Sequence, residues 1–272
     1  MAELRRGGSF FGRRKGKALR PGQRQALDTV LPKLLIDVGR PPPGRLSDLF
    51  DVPVSAVRLE VGFGGGEHLL HAARSSPDLG FVGVEPFESG LAKAVTAIAR
   101  EGLRNIRLFD QDAVLILDWL PEASISRIDL LFPDPWPKKR HWKRRFVSPA
   151  NLDRVVRCLA SGGEFRFATD VESYAEWTRD EVARHARLER LRDSMEPWPD
   201  WPGTRYEAKA ARAGRGAWYM TFSLTSLRAV SPSRRTHRRR VPPAHRRRLR
   251  PADPSPRARC SIRARQRASS GP

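Results

Sequence analysis

Four acidic residues stand at the ends of short apolar runs. Glu60 lies in Leu59-Glu60-Val61 and is followed at once by Gly62-Phe63-Gly64-Gly65-Gly66-Glu67. Glu85 ends the next β-type run, Asp112 follows the third within Asp110-Gln111-Asp112-Ala113, and Asp134 comes directly after Ile128-Asp129-Leu130-Leu131-Phe132-Pro133. Glycines between a strand and a helix let the backbone approach a ligand closely. An acid roughly 20 residues further on, at the end of the next strand of an open α/β sheet, can accept hydrogen bonds from a ribose diol. The third acid falls within reach of an adenine amino group. A glycine cluster by itself is weak evidence, because tight turns use glycine for steric reasons alone; acids closing successive strands at one edge make it a nucleoside site. Solvated strand-end acids are the bland alternative. A dinucleotide is disfavoured, since G-x-G-x-x-G needs glycine where this chain has Glu67, and Glu60 and Glu67 would repel a pyrophosphate.

The segment after the fourth run reads Pro133-Asp134-Pro135-Trp136-Pro137-Lys138-Lys139-Arg140-His141-Trp142-Lys143-Arg144-Arg145. Its prolines stiffen the loop and hold Asp134 beside the acid-lined crevice. Lys and Arg can neutralise phosphates, and an indole or guanidinium plane can stack on an unstacked base. An isolated run of this kind is commonly a solvated basic loop whose tryptophans pack inward; its place next to the crevice favours RNA contact instead. His141, between Arg140 and Trp142, reads as an RNA contact or packing group.

The elements that must position these residues alternate. β-type runs at 57–61, 80–84, 106–109, 128–132 and 164–168 are separated by helical patterns at 67–74, 88–101, 148–159 and 174–184. Such alternation implies an α/β fold with a mostly parallel sheet flanked by helices. Two late strands, 188–192 and 217–224, with a Pro/Trp-rich loop at 197–203 and no helix between them, suggest a closing antiparallel pair, which makes seven strands. A lead-in helix carries Leu27, Val30, Leu31, Leu34 and Leu35 at near-helical spacing.

The formal charge of +21 points to a polyanionic partner. Fifteen of the 51 Lys and Arg residues but one of the 30 acids fall in 228–272, so residues 1–227 carry only +7. The expected organisation is a basic flexible arm at 1–20, one domain at 21–227, and a disordered Arg/Pro-rich tail at 228–272, which an RNA-holding extension would explain but which reads better as a frame-shifted or read-through stretch with no specific role. Cys158 and Cys260 share no CxxC spacing, so neither a disulfide framework nor a metal site is expected. No apolar run approaches a membrane span and no secretory signal opens the chain, so a cytoplasmic protein without a membrane partner is expected. Monomer and homodimer stay equally open.

S-adenosylmethionine, a phosphate-free cofactor with cationic ammonium and sulfonium groups, suits an acid-lined glycine turn. The region 60–112 accordingly resembles a class I methyltransferase cofactor site. With the run 132–145 added, and with Ala168-Thr169-Asp170, Tyr174-Ala175 and Thr204-Arg205-Tyr206-Glu207, residues 9–224 resemble the bacterial tRNA (guanine-N7)-methyltransferase family. The resemblance implies a class I Rossmann-like fold and methyl transfer from S-adenosylmethionine to N7 of guanine 46 in the tRNA variable loop. It assigns cofactor binding to Glu60, Gly62, Gly64, Glu85, Asp112 and Asp134, and catalysis to Asp134. Substrate binding falls to Lys138, Asp170, Thr204, Arg205, Tyr206 and Glu207, and RNA contact to Arg140, His141, Trp142, Lys143, Arg144 and Arg145. Pro137, Ala210 and Arg215 depart from residues frequent in the family. Two rivals remain: a methyltransferase acting on exocyclic amines, whose Asp-Pro-Pro-aromatic loop differs from Asp134-Pro135-Trp136, and a non-catalytic RNA-binding protein of the same fold. Guanine N7 has a lone pair and no proton to lose, so the expected chemistry rests on positioning.

Overall fold

The computed structural model describes residue 12 and residues 14–225; the stretch 228–272 and most of the expected N-terminal arm lie outside the described residues. Helices α1 (Pro21–Thr29) and α2 (Leu31–Leu34) lead into one sheet of seven strands. The strands are β1 (Ala56–Val61), β2 (Leu79–Val84), β3 (Ile106–Phe109), β4 (Ile125–Leu131), β5 (Leu159–Thr169), β6 (Leu188–Ser194) and β7 (Trp218–Leu224). Their order is β3-β2-β1-β4-β5-β7-β6. Neighbours from β3 to β5 pair in parallel, and β7 runs antiparallel to both β5 and β6. The expected mostly parallel sheet with a closing antiparallel pair is therefore present.

Parallel neighbours need crossovers: α3 (Glu67–Ser75) links β1 to β2, α4 (Glu88–Glu101) links β2 to β3 and α6 (Pro149–Cys158) links β4 to β5, while α5 (Ala113–Trp119) carries the chain back from β3 to β4 and α7 (Glu172–Ala183) carries it from β5 to β6. Because side chains alternate along a strand, Val57, Leu59 and Val61 join Ile128, Leu130, Phe165 and Phe167 in a core beneath α5, α6 and α7. On the opposite face α1 to α4 pack on Phe81, Ile106 and Leu108. The rest of that face is charged: Arg127 pairs with Asp129 at 3.0 Å, both buried, and Arg127 and Arg166 both reach Asp200. The loop carrying Trp198 and Trp201 belongs to a third apolar cluster with Leu131, Ala168, Ala217 and Tyr219.

Two elements correct the sequence reading. Helix α5 occupies the apolar stretch after Asp112, which the spacing leaves unassigned, and α8 (Arg205–Arg212) separates β6 from β7, where the sequence predicts no helix. Only Ala210 of α8 is buried, so its sequence has no apolar stripe to betray it. Residues 14–20, assigned to the arm, in part lie against the start of α4: Glu88 N–H donates to the Arg14 carbonyl, and Gly16 packs on Phe87 and Ser89. Among the described residues no helix is long and apolar enough to cross a membrane, and no group of three or more His, Cys, Asp or Glu could hold a metal ion.

The chain runs outward from β1 through β2 to β3, then crosses back to β4 on the other side of β1. In open α/β sheets a ligand crevice forms outside the carboxyl ends of the strands at such a reversal.

Candidate active site

The turn after β1 uses three left-handed glycines, Gly62 (φ 74°), Gly64 (φ 59°) and Gly66 (φ 84°), the last opening α3. At Gly62 nothing stands within 4 Å of where a side chain would begin, which leaves room for a ligand against the backbone. Gly64 N–H donates to Glu85 Oε2 at 2.7 Å and Phe87 N–H to Oε1 at 2.9 Å, so both carboxylate oxygens of Glu85 are oriented at the end of β2. Burial pushes that carboxyl up to about 7, against the pull of the two backbone bonds. Asp112, at the end of β3, caps α5 by accepting the Val114 N–H at 3.0 Å.

Beyond β4, Phe132 (φ 50°) and Trp136 (φ 45°) adopt left-handed backbone. Bulky residues avoid that region, and strain of this kind costs on the order of 1–3 kcal/mol per residue. The two bracket Pro133-Asp134-Pro135 and carry Asp134 to the cleft. Gly62, Gly64, Glu85, Asp112, Asp134, Phe132, Trp136 and Tyr206 share a cleft of about 490 Å³ at the carboxyl ends of β1 to β4. Lys143, Arg144 and Arg145 line it too, and the described Gly12 borders it. A carboxylate-rich, glycine-floored end fits a cationic nucleoside cofactor, with Glu85, Asp112 and Asp134 as the acids available to it.

Above the cleft, the 3₁₀ turn Lys139–Arg144 follows Lys138. Lys138, Lys139, Arg140 and Lys143 are exposed. The Arg144 guanidinium lies 4.9 Å over the Trp136 ring, and His141 stands edge-on to the same ring at 5.9 Å. Desolvation and the charges of Arg144, Arg140, Lys138 and Lys143 hold the His141 imidazole below its ordinary range.

Several residues point elsewhere than the spacing suggested. Glu60 does not line the cleft. Its neighbours Leu59 and Val61 face the apolar core, so strand alternation turns it to the opposite face, where His68 Nδ1 donates to its Oε2 at 2.7 Å. Burial opposes the charge on His68, but Glu60 outweighs it and raises the imidazole pKa. Glu207 also faces inward, accepting from Trp201 Nε1 at 2.6 Å and from the Tyr219 hydroxyl. Asp170 pairs with Arg215 at 2.8 Å. Arg145 is not on the surface: it is 2% exposed. Trp142, beside it, is half-buried and packs edge-on against Trp177 at 5.6 Å.

Thr204 caps α8 by accepting the Glu207 N–H at 3.2 Å. Arg205 reaches back to Glu67 at 3.0 Å, and Tyr206 faces the cleft beside Gly64. Two contributors, His68 and Gly90, escape a reading of the sequence, and a third, Trp201, is visible there only as a tryptophan that shapes or anchors the loop. His68 and Trp201, with ring centroids 5.4 Å apart, link the glycine turn to the 204–207 loop. Gly90 lets α4 approach the Gly64 carbonyl, which any side chain there would strike. The Thr-x-x-Glu spacing of Thr204 and Glu207 is a capping signature that identifies α8; nothing local signals His68 or Gly90.

A seven-stranded sheet of this order with an antiparallel seventh strand, and a cleft at its strand reversal that carries Glu85, Asp112 and Asp134, have the architecture expected of a class I methyltransferase. A family model described as "Putative methyltransferase" matches residues 55–220. The chain is 54% identical over 218 residues to the tRNA (guanine-N(7)-)-methyltransferase of Chelativorans sp. (strain BNC1), covering 79% of this chain and 94% of that protein. It is 53% identical over 223 residues to the same-named protein of Brucella melitensis, covering 80% and 96%, and 52% identical over 218 residues to that of Rhizobium etli, covering 79% and 95%. The chain belongs to the tRNA (guanine-N(7)-)-methyltransferase family.

Proposed function

We propose that this protein transfers the methyl group of S-adenosylmethionine to N7 of a guanine in tRNA, guanine 46 of the variable loop, giving 7-methylguanosine and S-adenosylhomocysteine in the cytoplasm. The observation that carries the proposal is the meeting, in one cleft of a member of this family, of strand-end carboxylates and a glycine turn with an exposed cationic loop. Bound S-adenosylmethionine supplies an electrophilic methyl on a sulfonium. Glu85 would hold the ribose hydroxyls on its remaining lone pairs, and Asp112 the adenine amino group. Lys138, Lys139, Arg140 and Lys143 neutralise tRNA phosphates.

Asp134, held at the cleft, accepts hydrogen bonds from guanine N1–H and the exocyclic amine, selecting guanine over adenine. As N7 bonds to the methyl carbon, the carbon–sulfur bond would break with its electron pair left on sulfur, so the positive charge passes to the base, and a carboxylate already in place would stabilise that charge more than the neutral ground state. N7 loses no proton, so no general base takes part. Tyr206 and Arg205 bring α8 against the glycine turn.

The test is incubation with S-adenosylmethionine and unmodified tRNA, then reduction and aniline treatment. Strand scission at one variable-loop guanine supports the proposal. Methyl transfer to an adenine or cytosine amine, or cofactor and tRNA binding with no transfer, overturns it.

A further inference from the structure

The six cations between Lys138 and Arg145 do not form one class. Arg145 is nearly sealed from solvent, and its guanidinium spends its donors inside the protein. Its Nε donates to the Pro135 carbonyl at 3.0 Å, one nitrogen to the Ser173 carbonyl at 2.8 Å, and the other to Ser173 Oγ at 3.1 Å. Aromatic rings enclose it, with Trp142 at 4.4 Å, Tyr174 at 4.7 Å and Trp177 at 5.7 Å from the guanidinium carbon. Although Arg145 borders the cleft, a phosphate there would have to displace the Pro135 and Ser173 bonds that already occupy its donors.

Pro135 is the residue after Asp134, and its carbonyl lies inside the segment bracketed by left-handed Phe132 and Trp136. Strained backbone of this kind persists only where the surroundings over-determine it. Prolines fix φ at 133 and 135 but not ψ, so the orientation of the 135–136 peptide needs an outside anchor. Arg145 supplies that anchor and ties it to the first turn of α7 through Ser173.

We infer that Arg145 is a positioning residue for Asp134: it holds the Pro135 carbonyl, and with it the strained loop, so that the Asp134 carboxylate stands ready at the cleft. The inference rests on the proposed methyl transfer. It separates Arg145 from Lys138, Lys139, Arg140 and Lys143, whose exposed ammonium and guanidinium groups suit phosphate. Lysine cannot replace it, because an ammonium lacks the planar fork that bonds Pro135 and Ser173 together while stacking on aromatic faces.

The experiment compares wild-type protein with Arg145→Lys, measuring single-turnover methylation of tRNA, cofactor affinity, and tRNA affinity across a salt series. The expected result is a fall in the single-turnover rate of tenfold or more, with both affinities within about twofold of wild type and an unchanged salt slope. A wild-type rate overturns the inference. So does an unchanged rate combined with a salt slope reduced by about 0.7–0.9, the mark of one phosphate that the protein no longer neutralises. Should Arg145→Lys not fold, phenylglyoxal mapping of the wild-type protein decides. Arg145 unmodified while Arg140 reacts, and is protected by tRNA, is expected; modification of Arg145 that tRNA suppresses overturns the assignment. If wild-type protein transfers no methyl group, the proposed function fails, while the mapping still reports on Arg145.

Discussion

At the scale of single residues, Glu85 and Asp134 make opposite demands on their surroundings. Glu85 is buried, and its carboxyl titrates near 7 where the ordinary value is 4.5. A raised carboxyl pKa favours the folded state while the group is protonated, so this contribution to stability is complete below about 4.5 and is lost as pH rises through about 7. Cofactor affinity runs the other way, since ribose hydroxyls donate to the ionised form. S-adenosylmethionine should bind roughly tenfold more weakly at pH 6 than at pH 8, because one pH unit below a pKa leaves about a tenth of the group ionised. Calorimetry on wild type and Glu85→Gln checks this, and a pH-dependence that survives the substitution removes Glu85 as its source. Asp134 is exposed at the cleft and serves the transition state. Asp134→Ala should lower the single-turnover rate about 10²-fold, the scale seen when one preorganised group facing the transition state is removed. If Asp134→Ala and Asp134→Asn both keep wild-type rates, Asp134 has no such role. The spacing placed Glu85, Asp112 and Asp134 at one crevice, which they line, but it did not show the direction of each side chain. Glu60 and Arg145 look like surface ligands in the chain and face inward in the fold, one by strand alternation and the other by an aromatic cage.

At the scale of elements, the apolar runs mark part of each of the five parallel strands, but β5 begins at Leu159, five residues before the run at 164–168, because Ala160-Ser161-Gly162-Gly163 carries no apolar pattern. The two unrecognised helices have different causes. Residues 113–119 are short and mostly apolar, a pattern that a buried strand shares. Helix α8 carries Arg205, Lys209 and Arg212 on one side and buries little beyond Ala210 on the other, and it is held by its Thr204 cap and by the tryptophan loop. Hidden within β4 is a further dependency: Arg127 and Asp129 pair on the charged face, and outside that pair the partner of Arg127 is Asp200, which is about half exposed. Asp129→Ala should destabilise the protein by about 3–5 kcal/mol, the usual cost of leaving one member of a buried pair behind. Urea denaturation reads this directly, and a decrease below about 1 kcal/mol means that Asp200 suffices.

At the scale of the whole molecule, net charge and topology were legible, and the folding of the late segment across the sheet was not. The contacts between His68 and Trp201 and between Glu67 and Arg205 join residues more than a hundred positions apart, and no local pattern encodes them. Electrostatics at this scale gives a separate prediction. Replacing Lys138, Lys139, Arg140 and Lys143 with glutamine should weaken tRNA binding and flatten its salt dependence by up to about 0.7–0.9 for each phosphate left without its cation, with cofactor affinity unchanged. An unaltered slope would place the tRNA elsewhere on the surface.

A side chain at Gly65 would meet the guanidinium of Arg205, which would have to leave its place beside Glu67 to make room. The cofactor turn and the late loop are thus one inheritable unit. A chimera that swaps either segment with a more distant relative should regain activity only when both travel together.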